Sequence, residues 1–115
     1  MQNSAGPTFL ADCPSRLAVE ILSDKWASLV LYALSQKPRR HGELVNAIGG
    51  VSRKVLTETL HRLQRDGLVE RLESASHRIQ YRLTDLGYTL TEPIEALNSW
   101  ASTYGEAVTE FRDAT

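Results

Sequence analysis

One stretch of the sequence, GGVSRKVLTETLHRLQRDGLVE at residues 49–70, combines basic, hydroxyl and imidazole side chains at helical spacing. One side of this run is apolar, and the other carries the polar residues Ser52, Arg53, Lys54, Thr57, Glu58, His61 and Arg62. Cations and hydroxyls hydrogen bond to phosphates and guanine edges, and a glutamate can accept a hydrogen bond from a cytosine amino group. The pattern therefore predicts a helix face that contacts duplex DNA.

The same face has a second interpretation as an ordinary solvated helix surface, on which Glu58 pairs with Arg62 four residues later. Its surroundings favour the DNA contact. Gly49 and Gly50 allow a sharp turn before the helix, and Ser52 is a helix-capping residue. Two helices joined by a short glycine turn form a helix-turn-helix, whose second helix enters the major groove.

Two further helices are predicted ahead of this pair. The first begins at Pro14 with Cys13 as its N-cap residue, and the second is capped by Ser23 or Asp24 and ends before Pro38. The first helix is expected to turn four apolar side chains inward: Leu17, Ala18, Ile21 and Leu22. These helices provide the core against which the helix-turn-helix packs.

After the glycine-linked helices the hydrophobic period changes to two, in LVERLE and IQYRLT on either side of the polar loop SASHR. The sequence thus predicts a mostly α fold with a small β-hairpin wing, a winged helix-turn-helix with N- and C-terminal dimerisation helices. We expect a mobile N-terminal arm at residues 1–12 and a single domain at 13–115. Within it we expect the helix-turn-helix at about 41–66, the wing at about 68–83 and a C-terminal dimerisation helix at about 85–113.

The C-terminal helix carries an apolar seam. Apolar residues recur at alternating spacings of four and three from Leu90 through Ile94 to Phe111, and Pro93 should kink the helix or mark the start of its second half. A helix this apolar on one side needs a partner, so a homodimer is expected. Its predicted interface consists of Leu97, Trp100, Ala101, Tyr104, Val108 and Phe111.

Charge is unevenly distributed along the chain, although the formal net charge is only −1. Ten basic and five acidic residues between Lys37 and Arg82 give that segment a net charge of +5, and the residues from Leu83 onward sum to −5. A basic central segment is typical of a surface that binds double-stranded DNA. Further cationic candidates lie before the helix-turn-helix and at the hairpin tip: Arg39, Arg40, His77 and Arg78.

Other classes of function find little support. A single cysteine excludes an internal disulfide and a cysteine-cluster metal site, and the histidines lack metal-ligand spacing. No nucleotide-binding, zinc-protease or serine-hydrolase motif occurs, so neither enzyme activity nor a cofactor is expected. No apolar run is long enough to cross a bilayer, and the polar start lacks the features of a signal peptide. A cytoplasmic protein without membrane association is expected.

Together these motifs resemble the HxlR-type transcriptional regulators over about Asp12 to Trp100. The matching segments are CPSRLAVEILSDKW, PRRHGELVNAIGGVSRKVLTETLHRLQRDGLVER, YRLTDLGYTL and a tryptophan ten residues further on. The resemblance implies a homodimer on an inverted repeat near a promoter, with DNA contacts from Ser52, Lys54, Thr57 and the basic residues around them.

The chain departs from the family pattern in two places. Its wing, ESASHRIQY, lacks the proline-rich tip usual in the family and is shorter, which puts the wing contacts in doubt. Glu58 and Thr59 stand where a glutamine and a basic residue are common, which implies an operator sequence of its own.

Cys13 is the remaining chemical candidate. A thiol at a helix N-cap lies near unpaired backbone N–H groups, which favour the thiolate, whereas a lone cysteine can also be a small buried hydrophobe. Several members of the family sense oxidants or electrophiles through a cysteine at this position, so the resemblance implies redox sensing by Cys13.

An alternative for the whole chain is a winged-helix module whose basic face docks an acidic protein. The sequence identifies no operator, regulatory direction or small-molecule effector.

Overall fold

A computed structural model of the protein describes residues 14–114. The order of elements is α1 (Pro14–Ser23), α2 (Lys25–Gln36), α3 (His41–Ile48), α4 (Arg53–Arg65), β1 (Val69–Glu73), β2 (Ile79–Leu83), α5 (Asp85–Tyr88) and α6 (Thr91–Asp113). Helix α1 begins at Pro14, as predicted. The predicted N-terminal arm and the predicted capping residue Cys13 lie outside the described residues. The mostly helical fold with a hairpin wing is confirmed.

The core forms where α2 packs against α4. Leu31 and Leu34 of α2 and Leu56 and Leu60 of α4 are almost completely inaccessible to solvent. Each helix is amphipathic, so burying these stripes removes the apolar side of both helices from water. The polar side of α4 is thereby turned outward.

Both ends of α4 are capped by the predicted residues. The Ser52 hydroxyl accepts a hydrogen bond from the Val55 N–H at 3.1 Å. At the other end Gly67 has a φ of 76°, and the Leu68 N–H donates to the Leu63 carbonyl at 2.9 Å. This left-handed C-terminal cap satisfies carbonyls of the last turn and directs the chain into β1.

The wing is an antiparallel hairpin in which Val69 pairs with Leu83 and Glu73 with Ile79. Tyr81 and Leu83 are buried and alternate with exposed residues, as the period of two predicted. The buried side of the hairpin therefore packs on the helical core.

A third backbone segment joins the hairpin. The Arg39 N–H donates to the Tyr81 carbonyl at 3.0 Å, and the Tyr81 N–H donates to the Arg39 carbonyl at 2.8 Å. The sequence pattern did not predict this bridge, because one paired residue has no periodicity. It ties the loop between α2 and α3 to the inner strand of the wing.

The predicted continuous helix at about 85–113 is wrong at its start. The Thr84 hydroxyl caps the short α5, which ends at Tyr88, and α6 begins at Thr91. Pro93 lies in the first turn of α6, where a backbone N–H has no partner within the helix, so it marks the start of the long helix without a kink. Of the predicted seam, Ile94 is buried in the core.

Helix α1 is less buried than its pattern predicted. Leu17 and Ala18 were expected to point inward, yet both are exposed, and Ile21 is half-buried. Leu17 keeps 55% of its side-chain surface accessible. The inward assignment was wrong for these two residues because a single chain offers them no surface to cover.

A close backbone approach at Gly87 provides a test of the packing between α5 and the hairpin. A Cβ at this buried glycine would collide with the Leu68 carbonyl and lie 3.3 Å from the Leu83 Cβ. Gly87→Ala should lower the free energy of unfolding by about 1–3 kcal/mol, because backbone atoms cannot move aside cheaply. Thermal denaturation followed by circular dichroism measures the change.

Gly42→Ala is the matched control, since nothing lies within 4 Å of a Cβ at Gly42 in α3. It should raise the free energy of unfolding by about 0.4–1 kcal/mol by restricting the unfolded chain. Equal effects of the two substitutions would contradict the close approach at Gly87.

Candidate nucleic-acid interface

The polar residues predicted on α4 lie on one exposed face of that helix. The predicted residues on α4 and at its N-cap are all exposed, namely Ser52, Arg53, Lys54, Thr57, Glu58, His61 and Arg62, and Leu56, Leu60 and Leu63 on the opposite side are buried. This side of α4 presents cations, hydroxyls, a carboxylate and an imidazole to solvent. The structure brings all the predicted α4 candidates together on this surface.

One residue at the edge of this face belongs to the core. The Thr59 side chain is fully buried, and its hydroxyl donates to the Val55 carbonyl at 2.8 Å. Thr59 is therefore not exposed for a direct contact with DNA. A threonine can occupy this buried position because the carbonyl four residues earlier accepts a hydrogen bond from its hydroxyl. Val55 was predicted to be part of the buried apolar side of α4, but it is only half-buried.

Arg62 pairs across the fold and not with Glu58. Its Nη2 lies 2.7 Å from Oδ2 of Asp24, which is the capping residue of α2. The other carboxylate oxygen of Asp24 accepts from the backbone N–H groups of Trp26 at 3.1 Å and Ala27 at 3.0 Å. Of the two predicted capping residues, Asp24 performs the role. Its carboxylate joins the start of α2 to the second half of α4.

The Asp24 carboxyl is held in its charged form. Partial burial acts to raise its pKa, but the hydrogen bond from the Ala27 N–H and the hydrogen bond and charge of Arg62 together lower the pKa below its ordinary value. The carboxylate therefore stays ionised throughout the neutral range.

The two helices of the helix-turn-helix are linked by a polar contact. The Thr57 hydroxyl donates to the Arg53 carbonyl at 2.9 Å and lies 3.0 Å from Nε2 of His41 on α3. Because the hydroxyl proton is already used, His41 Nε2 is the donor in this contact. Gly49 and Gly50 between the helices have φ angles of 67° and 84°, which confirms the predicted turn.

The two arginines before α3 have different surroundings. Arg39 is half-buried, and its guanidinium donates to the Ala33 carbonyl at 3.0 Å and to Gln36 at 2.8 Å. Arg40 is exposed, and its backbone N–H donates to the Glu43 carboxylate at 2.7 Å. That hydrogen bond is the main reason why the pKa of Glu43 is lowered. The Arg39 guanidinium thus holds the end of α2, and that of Arg40 faces solvent.

The wing tip carries the last predicted pair. His77 has a φ of 61°, its side chain is 87% exposed, and its Nδ1 lies 3.1 Å from a carboxylate oxygen of Glu73. Histidine is among the residues that tolerate this left-handed conformation. Arg78 and Arg40 line one cleft of about 360 Å³ between the start of α3 and the wing. Arg78 is therefore placed next to a helix-turn-helix cation, and His77 is directed back to its own strand.

Two partners in this surface were missed by the sequence: Asp24, which lies 38 positions from Arg62, and Tyr81, which pairs with Arg39. Helical spacing relates residues within one helix and carries no information about the side chain opposite them on another. The sequence identifies Asp24 as a capping residue at a helix start, but the capping pattern does not predict that Asp24 also pairs with Arg62.

Most of the residues predicted for the dimer interface are uncovered in the single chain. Leu97, Trp100 and Tyr104 are about half exposed and Phe111 is 80% exposed. Ala101 is also exposed, and Val108 is half-buried. The Trp100 and Tyr104 rings pack at 5.8 Å between centroids with a tilt of 45°. α6 therefore presents an aromatic and aliphatic face to solvent.

Residues 14–114 contain neither a metal-ligand cluster nor a membrane-spanning helix. That part of the chain has no cluster of three or more histidine, cysteine, aspartate or glutamate side chains able to hold a metal ion. In the same range no helix has the length and apolar character needed to span a membrane. Cys13, predicted as the redox-sensing residue, lies outside the described residues.

An exposed polar helix that follows a glycine turn and precedes a braced hairpin defines a winged-helix DNA-binding protein. The chain belongs to the HxlR-like helix-turn-helix family, whose pattern matches residues 21–109. It is 35% identical over 101 residues to the HTH-type transcriptional regulator YtfH of Escherichia coli strain K12, covering 86% of this chain and 80% of that protein. The chain is thus a helix-turn-helix transcriptional regulator.

Solved structures agree with this assignment. The transcriptional regulator ytfH from Salmonella typhimurium superposes with a TM-score of 0.78 and 31% identity, over 95% of this chain and 99% of that chain. The reduced form of the regulator YodB from B. subtilis gives a TM-score of 0.70 and 29% identity, over 80% and 93%. Diamide-treated and quinone-bound forms of YodB match at TM-scores of 0.65 and 0.68. The neighbours are regulators and not enzymes.

Proposed function

We propose that the protein regulates transcription by binding, as a homodimer, a specific inverted repeat in duplex DNA. The observation that carries this proposal is the exposed polar face of α4, which lies opposite the buried residues Leu56, Leu60 and Leu63. The first turns of such a helix lie nearest the base edges. Arg53 and Lys54, in the first turn, therefore lie closest to the bases. Thr57, Glu58 and His61 follow in later turns on the same surface.

The loop cations support a second set of contacts, to the DNA backbone. Arg40 and Arg78 border one cleft beside the start of α3, and they outnumber Glu73, its acidic lining residue, so the net positive charge favours a phosphate. The Ser52 hydroxyl caps α4 by accepting from the Val55 N–H, and its own proton can still be donated to a phosphate oxygen. Arg39 supports this surface indirectly, because its guanidinium is engaged with the end of α2. His77 contributes through the shape of the wing tip.

The uncovered apolar face of α6 supports the homodimer. Leu97, Trp100, Tyr104 and Phe111 place large apolar side chains in water, a cost that a second copy of α6 would remove. Leu17 and Val19 of α1 are also exposed apolar residues. A two-fold pairing of these helices brings two copies of α4 to neighbouring major grooves, about 34–36 Å apart.

Selection from a random library of 30-base-pair duplexes tests the DNA-binding proposal. We expect the protein to enrich an inverted repeat and its affinity to fall by about 10³–10⁵ between 50 and 200 mM salt, as several phosphates are neutralised. Lys54→Ala should weaken binding to the selected duplex by about 1–3 kcal/mol, measured by fluorescence anisotropy.

Lys25→Ala removes the same charge from outside the helix-turn-helix and serves as the matched control. The loss of DNA affinity in Lys25→Ala should be much smaller than the loss in Lys54→Ala. A flat salt response and no enriched sequence would contradict the proposal and favour a module that docks an acidic protein.

The homodimer has its own test, in sedimentation velocity at micromolar protein concentration. Tyr104→Glu should shift the protein from dimer to monomer, because it buries a carboxylate in an apolar interface. Thr103→Glu adds the same charge at an exposed neighbouring position and should leave the dimer intact. If both variants remain dimeric, the interface lies elsewhere, for example on α1.

We further propose that Cys13 makes the regulator responsive to oxidants or electrophiles. It precedes Pro14, the first residue of α1, where the positive end of a helix dipole stabilises a thiolate. The family relative YodB, known in diamide-treated and quinone-bound forms, supports the same chemistry. With one cysteine in each chain, the available reactions are pairing between two copies, a mixed disulfide with a small thiol, or alkylation.

Affinity for the selected duplex before and after treatment with diamide or a quinone tests this role. We expect wild type to change its affinity and Cys13→Ser to keep it. Unchanged affinity in a wild-type sample whose Cys13 modification is confirmed by mass spectrometry would contradict the role.

A further inference from the structure

The Arg62 side chain occupies an unusual position for a residue at the edge of the DNA-facing surface. Its Nη2 lies 2.7 Å from Asp24 Oδ2, and a second, longer contact of 3.4 Å reaches the hydroxyl of the buried Thr59. Both partners lie on the side of α4 that faces its own core and α2. The guanidinium is therefore directed toward the fold and away from the centre of the exposed face.

Asp24 is a rigid partner for this contact. One of its oxygens holds the first turn of α2 through the Trp26 and Ala27 N–H groups, which leaves the other oxygen for Arg62. Only 28% of the Asp24 side chain is exposed, compared with 44% for Arg62. The carboxylate cannot leave Arg62 without also disturbing the start of α2.

The apolar contacts between α2 and α4 do not set the angle of α4 as narrowly. Hydrophobic burial is non-directional, and interdigitated side chains tolerate small rotations of one helix on another. Near this pair a cleft of about 370 Å³ opens between the junction of α1 with α2 and the second half of α4. A charged hydrogen bond with fixed geometry, placed beside that cleft, limits such movement.

We propose that Arg62 is a positioning residue, which tethers the second half of α4 to Asp24 and so holds the DNA-reading face at one angle. This inference rests on the proposed DNA binding and refines it. It removes Arg62 from the direct DNA contacts and adds Asp24 to the residues that determine sequence selectivity. The tether acts on how well α4 fits one sequence, so its loss changes the ratio of affinities for specific and scrambled DNA.

Asp24→Asn distinguishes this role from simple charge attraction by the sign of its effect. The asparagine still caps α2, since Asn is among the best capping residues, but it removes a negative charge near DNA. Charge attraction alone predicts tighter binding. The tether predicts that affinity for the library-selected duplex falls by about threefold to thirtyfold, whereas affinity for a scrambled duplex stays constant or rises.

Arg62→Gln should reduce the same selectivity ratio, and the double variant Asp24→Asn with Arg62→Gln should be no worse than either single one. Arg65→Gln is the matched control, because Arg65 is exposed, borders the same cleft and makes no ion pair within residues 14–114. Arg65→Gln should weaken binding to both duplexes by a similar factor and leave the selectivity ratio unchanged. Fluorescence anisotropy at two salt concentrations measures the DNA affinities of all four variants.

Three results would overturn the tether. The first is tighter binding of the selected duplex by Asp24→Asn, and the second is unchanged selectivity in Arg62→Gln. The third is a loss of affinity in Arg62→Gln that equals the loss in Arg65→Gln and lowers the salt slope by about one, as expected for a phosphate contact.

Thermal unfolding of the same variants tests the pair without DNA. The shifts in Tm for Asp24→Asn and Arg62→Gln should not add in the double variant, and additive shifts would also overturn the proposal. If the wild-type protein selects no DNA sequence, the DNA-binding proposal alone is contradicted. The Tm shifts of the single and double variants still test whether Asp24 and Arg62 are coupled.

Discussion

The burial of α4 against α2 is the constraint on which the rest of the structure depends. Because Leu56, Leu60 and Leu63 are buried in the core, the opposite, polar side of α4 must face solvent. The caps at Ser52 and Gly67 fix where this helix starts and stops, and the second cap also aims the chain into the wing. The core contacts and the candidate DNA-binding surface are therefore two sides of the same helix.

Much of this arrangement is local and could be predicted from the sequence. The glycine turn, the caps of α4 and the alternation in β2 depend on neighbours within a few residues, so the pattern identifies them. The break between α5 and α6 was not predicted, because the apolar seam begins only at Leu90 and carries no information about the residues before it. The buried position of Thr59 does not follow from helical spacing, because it depends on the hydrogen bond from its hydroxyl to the Val55 carbonyl.

The candidate site was less predictable than the fold. Residues on one helix face were identified together, yet the partners of Arg62 and Arg39 come from distant parts of the chain. Such contacts depend on how helices cross, which spacing within a helix does not encode. The same limit applies to α1 and α6: the sequence identifies their apolar residues, but several of these residues stay exposed in the single chain. The sequence thus predicts candidate binding surfaces, and the fold shows which of their cations already have hydrogen-bond partners.

The bridge between Arg39 and Tyr81 has a consequence for the edge of the wing. It occupies one side of β2, and β1 occupies the other, so the outer side of β1 is the free edge of the sheet. A free strand edge invites pairing with extended segments of other chains and is a common start of aggregation. Here β1 carries charged residues, and one of them, Glu70, accepts a hydrogen bond from Arg82 across the hairpin at 2.8 Å. Charge along this strand disfavours edge-to-edge pairing between the wings of two molecules.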